Sequence, residues 1–179
     1  MNLYKIYLNY KFAISDVEKY DGNVDYLSLN SETTSILKSF EFGWQTVESS
    51  VIPDITIIMS KLFCIDKKAA NTLLSYLNGI VLTPISIGNK IFNSLSHIPI
   101  LNRALDMKSS KVKYFSTGDI MEITRPVFKK QEYPNLFKID EISGTFFCTH
   151  ELKNIVEINN LTGISFEECK VKQKSWFGL

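Results

Sequence analysis

Nowhere in these 179 residues does an apolar run approach the ~18 residues that a membrane-spanning helix needs. The first stretch, Met1 to Ile14, is rich in apolar residues but is cut by Asn2, Lys5, Asn9 and Lys11, so it alternates instead of forming the block of a secretory signal. There are three cysteines, which cannot pair completely, and nothing marks an exported disulfide scaffold. Together these absences predict a cytoplasmic protein. The formal net charge is +1, which commits the chain to neither a polyanion nor an anionic membrane.

Catalytic material is also scarce. Eight glycines leave little for a phosphate-cradling loop, and no G-x-S-x-G or H-E-x-x-H occurs. There are only two histidines, His97 beside Ile98-Pro99 in an expected turn and His150 at an expected helix start. Cys148 and His150 are two apart and share a face if the strand continues that far, with Cys64, Cys169 and His97 as further candidate ligands. No pair has the spacing of a structural zinc site, and Cys64 and Cys148, each next to phenylalanine, read as small core residues. The adjacent carboxylates Asp140-Glu141 and Glu167-Glu168 point to opposite faces if they lie in strands. The expectation is a protein without catalytic residues, metal or cofactor.

What is present is core-forming material. Apolar residues make up 45% and aromatics 12%, too much for a disordered chain and enough for one domain of this length. Charge is unevenly placed. Residues 1–60 hold eight acids and four bases, residues 61–130 eleven bases and four acids, and the remainder seven acids and five bases. The amino-terminal third is acidic and the middle basic.

The pattern of elements predicts an α+β fold, a single domain over 1–179 with mainly antiparallel β-sheet and a few short helices. Leu3 to Tyr10 and Tyr26 to Leu29 read as strands, and Ser31 as the cap of a short helix reaching Phe40. Ile55 to Met59 and Leu62 to Cys64 follow as strands. Asp66 then caps a helix whose apolar face is Ala69, Ala70, Leu73, Leu74 and Leu77, with Gly79 just past its end and a strand at Ile80 to Leu82 closed by Pro84. Lys90–Phe92, Lys111–Phe115, Ile120–Thr124 and Leu136–Ile139 read as strands, with a Gly118-Asp119 turn. Thr145–Cys148, a Thr149-capped helix carrying Leu152, Ile155 and Val156, Gly163 and Ile164–Phe166 repeat the earlier strand–helix–strand unit. Phe63, Cys64, Leu77, Gly79 and Ile80 match Phe147, Cys148, Leu161, Gly163 and Ile164 without a gap. In such half-buried strands Tyr114, Phe115 and Phe128 are expected to face the core while the lysines face water.

Three stretches carry a resemblance. Pro53-Asp54-Ile55 leads through a strand to a capped helix, a glycine and a strand ending in Thr83-Pro84. Ala104-Leu105-Asp106-Met107-Lys108-Ser109-Ser110 gives an L-D-x-x-x-S step. Asn135 to Ile139 precedes the second unit and its Leu161-Thr162-Gly163-Ile164-Ser165-Phe166 segment. In this order they resemble the immunity proteins of bacterial polymorphic toxin systems, specifically immunity-protein family eleven, formerly an uncharacterised domain. The likeness covers about 53–166, while residues 1–50 match no known pattern. Helix caps in such proteins are often serine; here Asp66 and Thr149 stand in those places, and both can cap.

The resemblance implies a binder that neutralises a cognate toxin, a protein encoded by a neighbouring gene, with no catalytic residues. Asp106 and Ser109 match the family step and are expected to be turn or cap residues, as Gly79 and Gly163 are expected to be backbone-geometry residues. Specificity must lie where relatives differ, which places the toxin contact in the first fifty residues, at Glu41 and Glu48. The competing reading is a nucleic-acid-binding module over 103–130, where Lys108, Lys111, Lys113, Arg125, Lys129 and Lys130 interleave with aromatic rings.

Overall fold

The computed structural model describes residues 2–22, 29, 32, 34–46, 50–118 and 120–172. Most of the expected 26–29 strand, the Ser31 cap, Glu48 and Asp119 lie outside them. In chain order the elements begin with strands β1 (Leu3–Leu8) and β2 (Ile14–Tyr20), a one-turn helix α1 (Thr34–Leu37), and strands β3 (Phe40–Gln45), β4 (Ile55–Ile58) and β5 (Leu62–Ile65). Helix α2 (Lys67–Leu73) follows, tightened into a 3-10 turn at Leu74–Tyr76, then strands β6 (Val81–Ile87), β7 (Lys90–Ser96) and β8 (Ile100–Leu101). The remainder is β9 (Lys111–Tyr114), β10 (Ile120–Arg125), β11 (Val127–Phe128), β12 (Leu136–Ile139), β13 (Ile142–Thr149), α3 (His150–Ile158) and β14 (Ile164–Val171). The protein is mostly sheet, and most of the pairings are antiparallel.

Contacts divide the chain into two units. One takes Met1–Ile6, Pro99–Lys153 and Phe166–Leu179, the other Tyr7–Ile98 and Asn154–Ser165. The first holds the sheet β11-β14-β1-β13-β12-β8 and a separate β9–β10 hairpin; the second holds the sheet β2-β3-β6-β7-β5-β4.

In the first unit Phe137 pairs with Phe147 across the β12/β13 ladder, so both rings project from one face and stack with centroids 5.7 Å apart. Phe128 meets both edge-on, at 6.0 and 5.2 Å, arrangements that contribute roughly 0.5–1.5 kcal/mol each beyond their buried area. Leu3 on β1 joins this core and is fully buried. In the second unit Phe40, Phe42, Ile58, Leu62, Ile85, Ile87 and Phe92 make the core, with Trp44 packed on Phe92.

Helix α2 starts where Asp66 accepts the Ala69 amide at 2.8 Å. Ala69, Ala70, Leu73 and Leu77 are buried, but Leu74, expected on the same face, is exposed. The chain tightens to 3-10 geometry there, and with three residues per turn instead of 3.6 the apolar stripe drifts away from Leu74. Phe40, expected to end a helix, instead opens β3, whose buried Phe40 and Phe42 alternate with exposed Glu41.

Two segments 108 residues apart close on each other within the second unit. The Asp54 carboxylate accepts the Thr162 amide and hydroxyl, both at 2.8 Å, and the Ile55 amide donates to the Thr162 carbonyl at 3.0 Å. Gly163 follows at φ +105°, where a Cβ would stand 1.9 Å from the Ile55 carbonyl oxygen. Gly79 also has positive φ, +76°, but nothing lies within 4 Å of where its Cβ would be. Gly163→Ala is therefore expected to cost about 3 kcal/mol or more, from strain and overlap together, and Gly79→Ala about 1 kcal/mol. Urea unfolding of the two variants measures the difference; equal costs would remove the close approach at Gly163 as its cause.

Candidate functional site

The β3–β6 edge shows how a single residue opens a sheet. The two strands are parallel and pair only at Phe42 and Ile87. There the Gly88 amide donates to the Phe42 carbonyl at 2.7 Å and the Trp44 indole N–H donates to the Ile87 carbonyl at 3.0 Å. Alternate backbone groups of a strand point the same way, so after Gly88 the groups aimed at β3 belong to Ser86 and then Pro84. Pro84 has no N–H to give. On its other side β6 pairs with β7 from Val81 to Ile87, which explains why Pro84 stands inside a strand it was expected to close.

The strands part at that point and leave a cavity of about 440 Å³. Phe40, Phe42, Leu37, Pro84 and Ile85 give it apolar walls, and Glu18, Glu41 and Lys38 give it charge. Glu18 is placed by an irregularity in the β2/β3 ladder between Val17 and Lys19. Its carboxylate lies across the backbone of Gly43, where a Cβ would stand 1.8 Å from Glu18 Oε1. Glu41 is exposed and lies 3.7 Å from the equally exposed Lys19 amine, a surface pair worth about 1 kcal/mol at most.

The basic segment is built differently. The β9–β10 hairpin forms its own two-stranded sheet. Val112 and Ile123 pair and pack into the first unit's core. One step outward Tyr114 pairs with Ile120, and these, with Phe115 and Met121, are 56%, 39%, 53% and 58% exposed. Tyr114 and Phe115 thus do not face the core as expected, although Phe128 does, because the hairpin extends beyond the core that covers its base. Lys113 bonds Glu122 at 2.6 Å, while Lys111 and Arg125 stand opposite each other as like charges.

Asp106 organises the turn before β9. Its Oδ1 accepts the amides of Lys108 and Ser109, its backbone carbonyl accepts the Ser110 hydroxyl at 2.9 Å, and its carboxylate pairs with the Lys172 amine. That hydrogen bond from Lys172 holds the Asp106 carboxyl below the ordinary aspartate range. Ser109 lends its amide, while Ser110 relays the turn onward by accepting the Val127 amide at 3.0 Å.

The thiols of Cys64, Cys148 and Cys169 are buried; burial pushes Cys64 upward and Cys169 to about 12. His150 Nδ1 lies 3.2 Å from the Tyr4 hydroxyl. Among the described residues no group of three or more His, Cys, Asp or Glu side chains is placed to hold a metal ion, and no helix is long and apolar enough to cross a membrane.

Asp140 and Glu141 fall in the tight β12–β13 turn rather than in a strand, and so come together. Hydrogen bonding from Glu141 lowers Asp140, while burial first and the Asp140 contact second raise Glu141, which therefore holds the shared proton. A raised carboxyl stabilises the fold below its unfolded value, about 4.3, and loses that contribution as pH rises through its folded value. Glu141→Gln, which stays neutral, is expected to be more stable than the parent at neutral pH, with a difference that shrinks towards pH 4. Unfolding midpoints across that range check it; a constant difference would contradict the shared proton.

Comparison of the chain with protein-family models and with curated proteins finds no match.

Proposed function

We propose that this protein is an immunity protein that binds a cognate bacterial toxin and neutralises it without catalysis, acting in the cytoplasm. The observation that carries this reading is the β3–β6 groove. It is a partly apolar cavity bordered by the carboxylates of Glu18 and Glu41, in the acidic third of the chain where partner contact is expected. Such a rim suits a basic patch or an extended basic segment of the toxin, speeding encounter and disfavouring acidic competitors. Two of the stretches that carry the family resemblance, Pro53-Asp54-Ile55 and Leu161-Thr162-Gly163, also meet through the Asp54–Thr162 bonds, as parts of one conserved design would.

The same reading takes the two strand–helix–strand units as copies of one plan. The sheet orders β4-β5-β7-β6-β3 and β12-β13-β1-β14-β11 run in parallel, with α2 and α3 in equivalent places and β1 taking the position of β7. The last pair in each series, β6/β3 and β14/β11, is parallel.

The test is co-purification with the neighbouring gene's product, inactivated if toxic, followed by calorimetry. Glu18→Lys/Glu41→Lys is expected to weaken binding at least 10-fold, as loss and reversal of two charge contacts does. Gly43→Ala, which displaces only the flexible Glu18 carboxylate, is expected to weaken it less. A complex of unchanged affinity in both variants moves the contact elsewhere; no complex with the parent chain sinks the immunity reading.

A second reading, nucleic-acid binding through 103–130, is favoured by one observation, the exposure of Tyr114 and Phe115 beside Lys111 and Arg125. It predicts affinity for a single-stranded oligonucleotide that falls steeply with salt and with Phe115→Ala. Salt-independent or undetectable binding removes it.

A further inference from the structure

The hairpin and the groove are complementary in two independent respects. The inner face of β9–β10 is apolar, and its covered part ends at Val112 and Ile123. The next register pair, Tyr114 and Ile120, carries that face past the core, with Phe115 and Met121 beside it. An isolated two-stranded hairpin is marginal in water, so four exposed apolar side chains on one call for a cover. The basic strand positions add a second requirement. Lys111 and Arg125 face one another across the ladder, and no carboxylate among the described residues pairs with either.

The groove presents the opposite pattern. Its walls, Leu37, Phe40, Phe42, Pro84 and Ile85, are apolar, and its rim carries Glu18 and Glu41. At about 440 Å³ it lies within the size range of sites that enclose a few large side chains. We infer that the occupant of the β3–β6 groove, in the absence of any other partner, is the β9–β10 hairpin of a second copy of this chain. Phe115 and Ile120 of one copy enter between β3 and β6 of the next, and Lys111 and Arg125 meet Glu18 and Glu41.

Such a contact is head-to-tail, because the hairpin and the groove are different surfaces. Each copy keeps one free hairpin and one free groove, so association continues to rings or chains and does not stop at a dimer. A single hairpin in a single groove is a small interface, of the class that gives weak and reversible association, and its charge contacts make it weaker at high salt.

Sedimentation velocity of the purified full chain, from ~10 µM to ~1 mM in low salt, reads this directly. The average mass is expected to rise with concentration and to fall back on adding 0.5 M salt. Two variants separate the surfaces: Phe115→Ser/Ile120→Ser disables the hairpin, and Glu18→Lys/Glu41→Lys disables the groove. All four positions are exposed or at the groove rim, and unchanged circular dichroism and unfolding midpoints establish that both variants fold. Each alone is expected to stay monomeric, and an equimolar mixture is expected to give a 1:1 dimer and nothing larger, since only one working hairpin and one working groove remain. A parent chain monomeric throughout overturns the inference. So does a mixture that stays monomeric, because association would then run hairpin to hairpin. A monomeric parent whose hairpin variant loses binding to a single-stranded oligonucleotide gives the hairpin to nucleic acid and overturns it equally.

Discussion

Pro84 cannot donate a hydrogen bond towards β3, and the groove depends on that. Had a residue with an N–H stood there, the parallel β3–β6 ladder could continue beyond Phe42 and Ile87, and the strand edges would be joined. Instead the ladder stops after one pair, held at its end by Gly88 and the Trp44 indole. The cavity that results is bordered by backbone and by side chains that already belong to the core. It is therefore largely preformed, and a partner gains affinity where the site need not be ordered on binding. Gly43 completes the arrangement, since only a residue without a side chain lets the Glu18 carboxylate lie across β3.

The two charge-rich regions of the chain put their charges on unlike supports. The acidic third places Glu18 and Glu41 on a paired sheet edge beside apolar walls. The basic middle places Lys111 and Arg125 on a hairpin joined to neither six-stranded sheet. Asp106 anchors the base of that hairpin through the Lys108 and Ser109 amides, the Ser110 hydroxyl and the Lys172 amine. A fixed base with an overhanging apolar face is a surface suited to contact rather than to packing at home, and a near-neutral whole-chain charge hides both surfaces.

Local patterning carried far in the sequence. Asp66 and its apolar face announced α2, β12 was legible from Leu136 to Ile139 without error, and the positive-φ glycines 79 and 163 stood where a helix ends and a strand begins. What failed depended on distant partners. Pro84 was taken for a strand end because its tolerance depends on which neighbour its nitrogen faces, and that neighbour is forty residues away. Tyr114 and Phe115 alternate as core residues do, but alternation does not say how far the core extends beneath a hairpin. Asp140 and Glu141 came together because a tight turn, not a strand, holds them. Glu41 could be chosen from charge placement, whereas Glu18 could not, since its position comes from a ladder irregularity that leaves no local signal.

Amide hydrogen exchange of the chain, alone and saturated with the inactivated product of its neighbouring gene, tests the central claim most directly. The account predicts new protection confined to the groove, at Phe40 to Phe42 and at Thr83 to Ser86 (Pro84 itself having no amide to report). Protection that leaves those amides unchanged, or that appears only elsewhere in the chain, would contradict it.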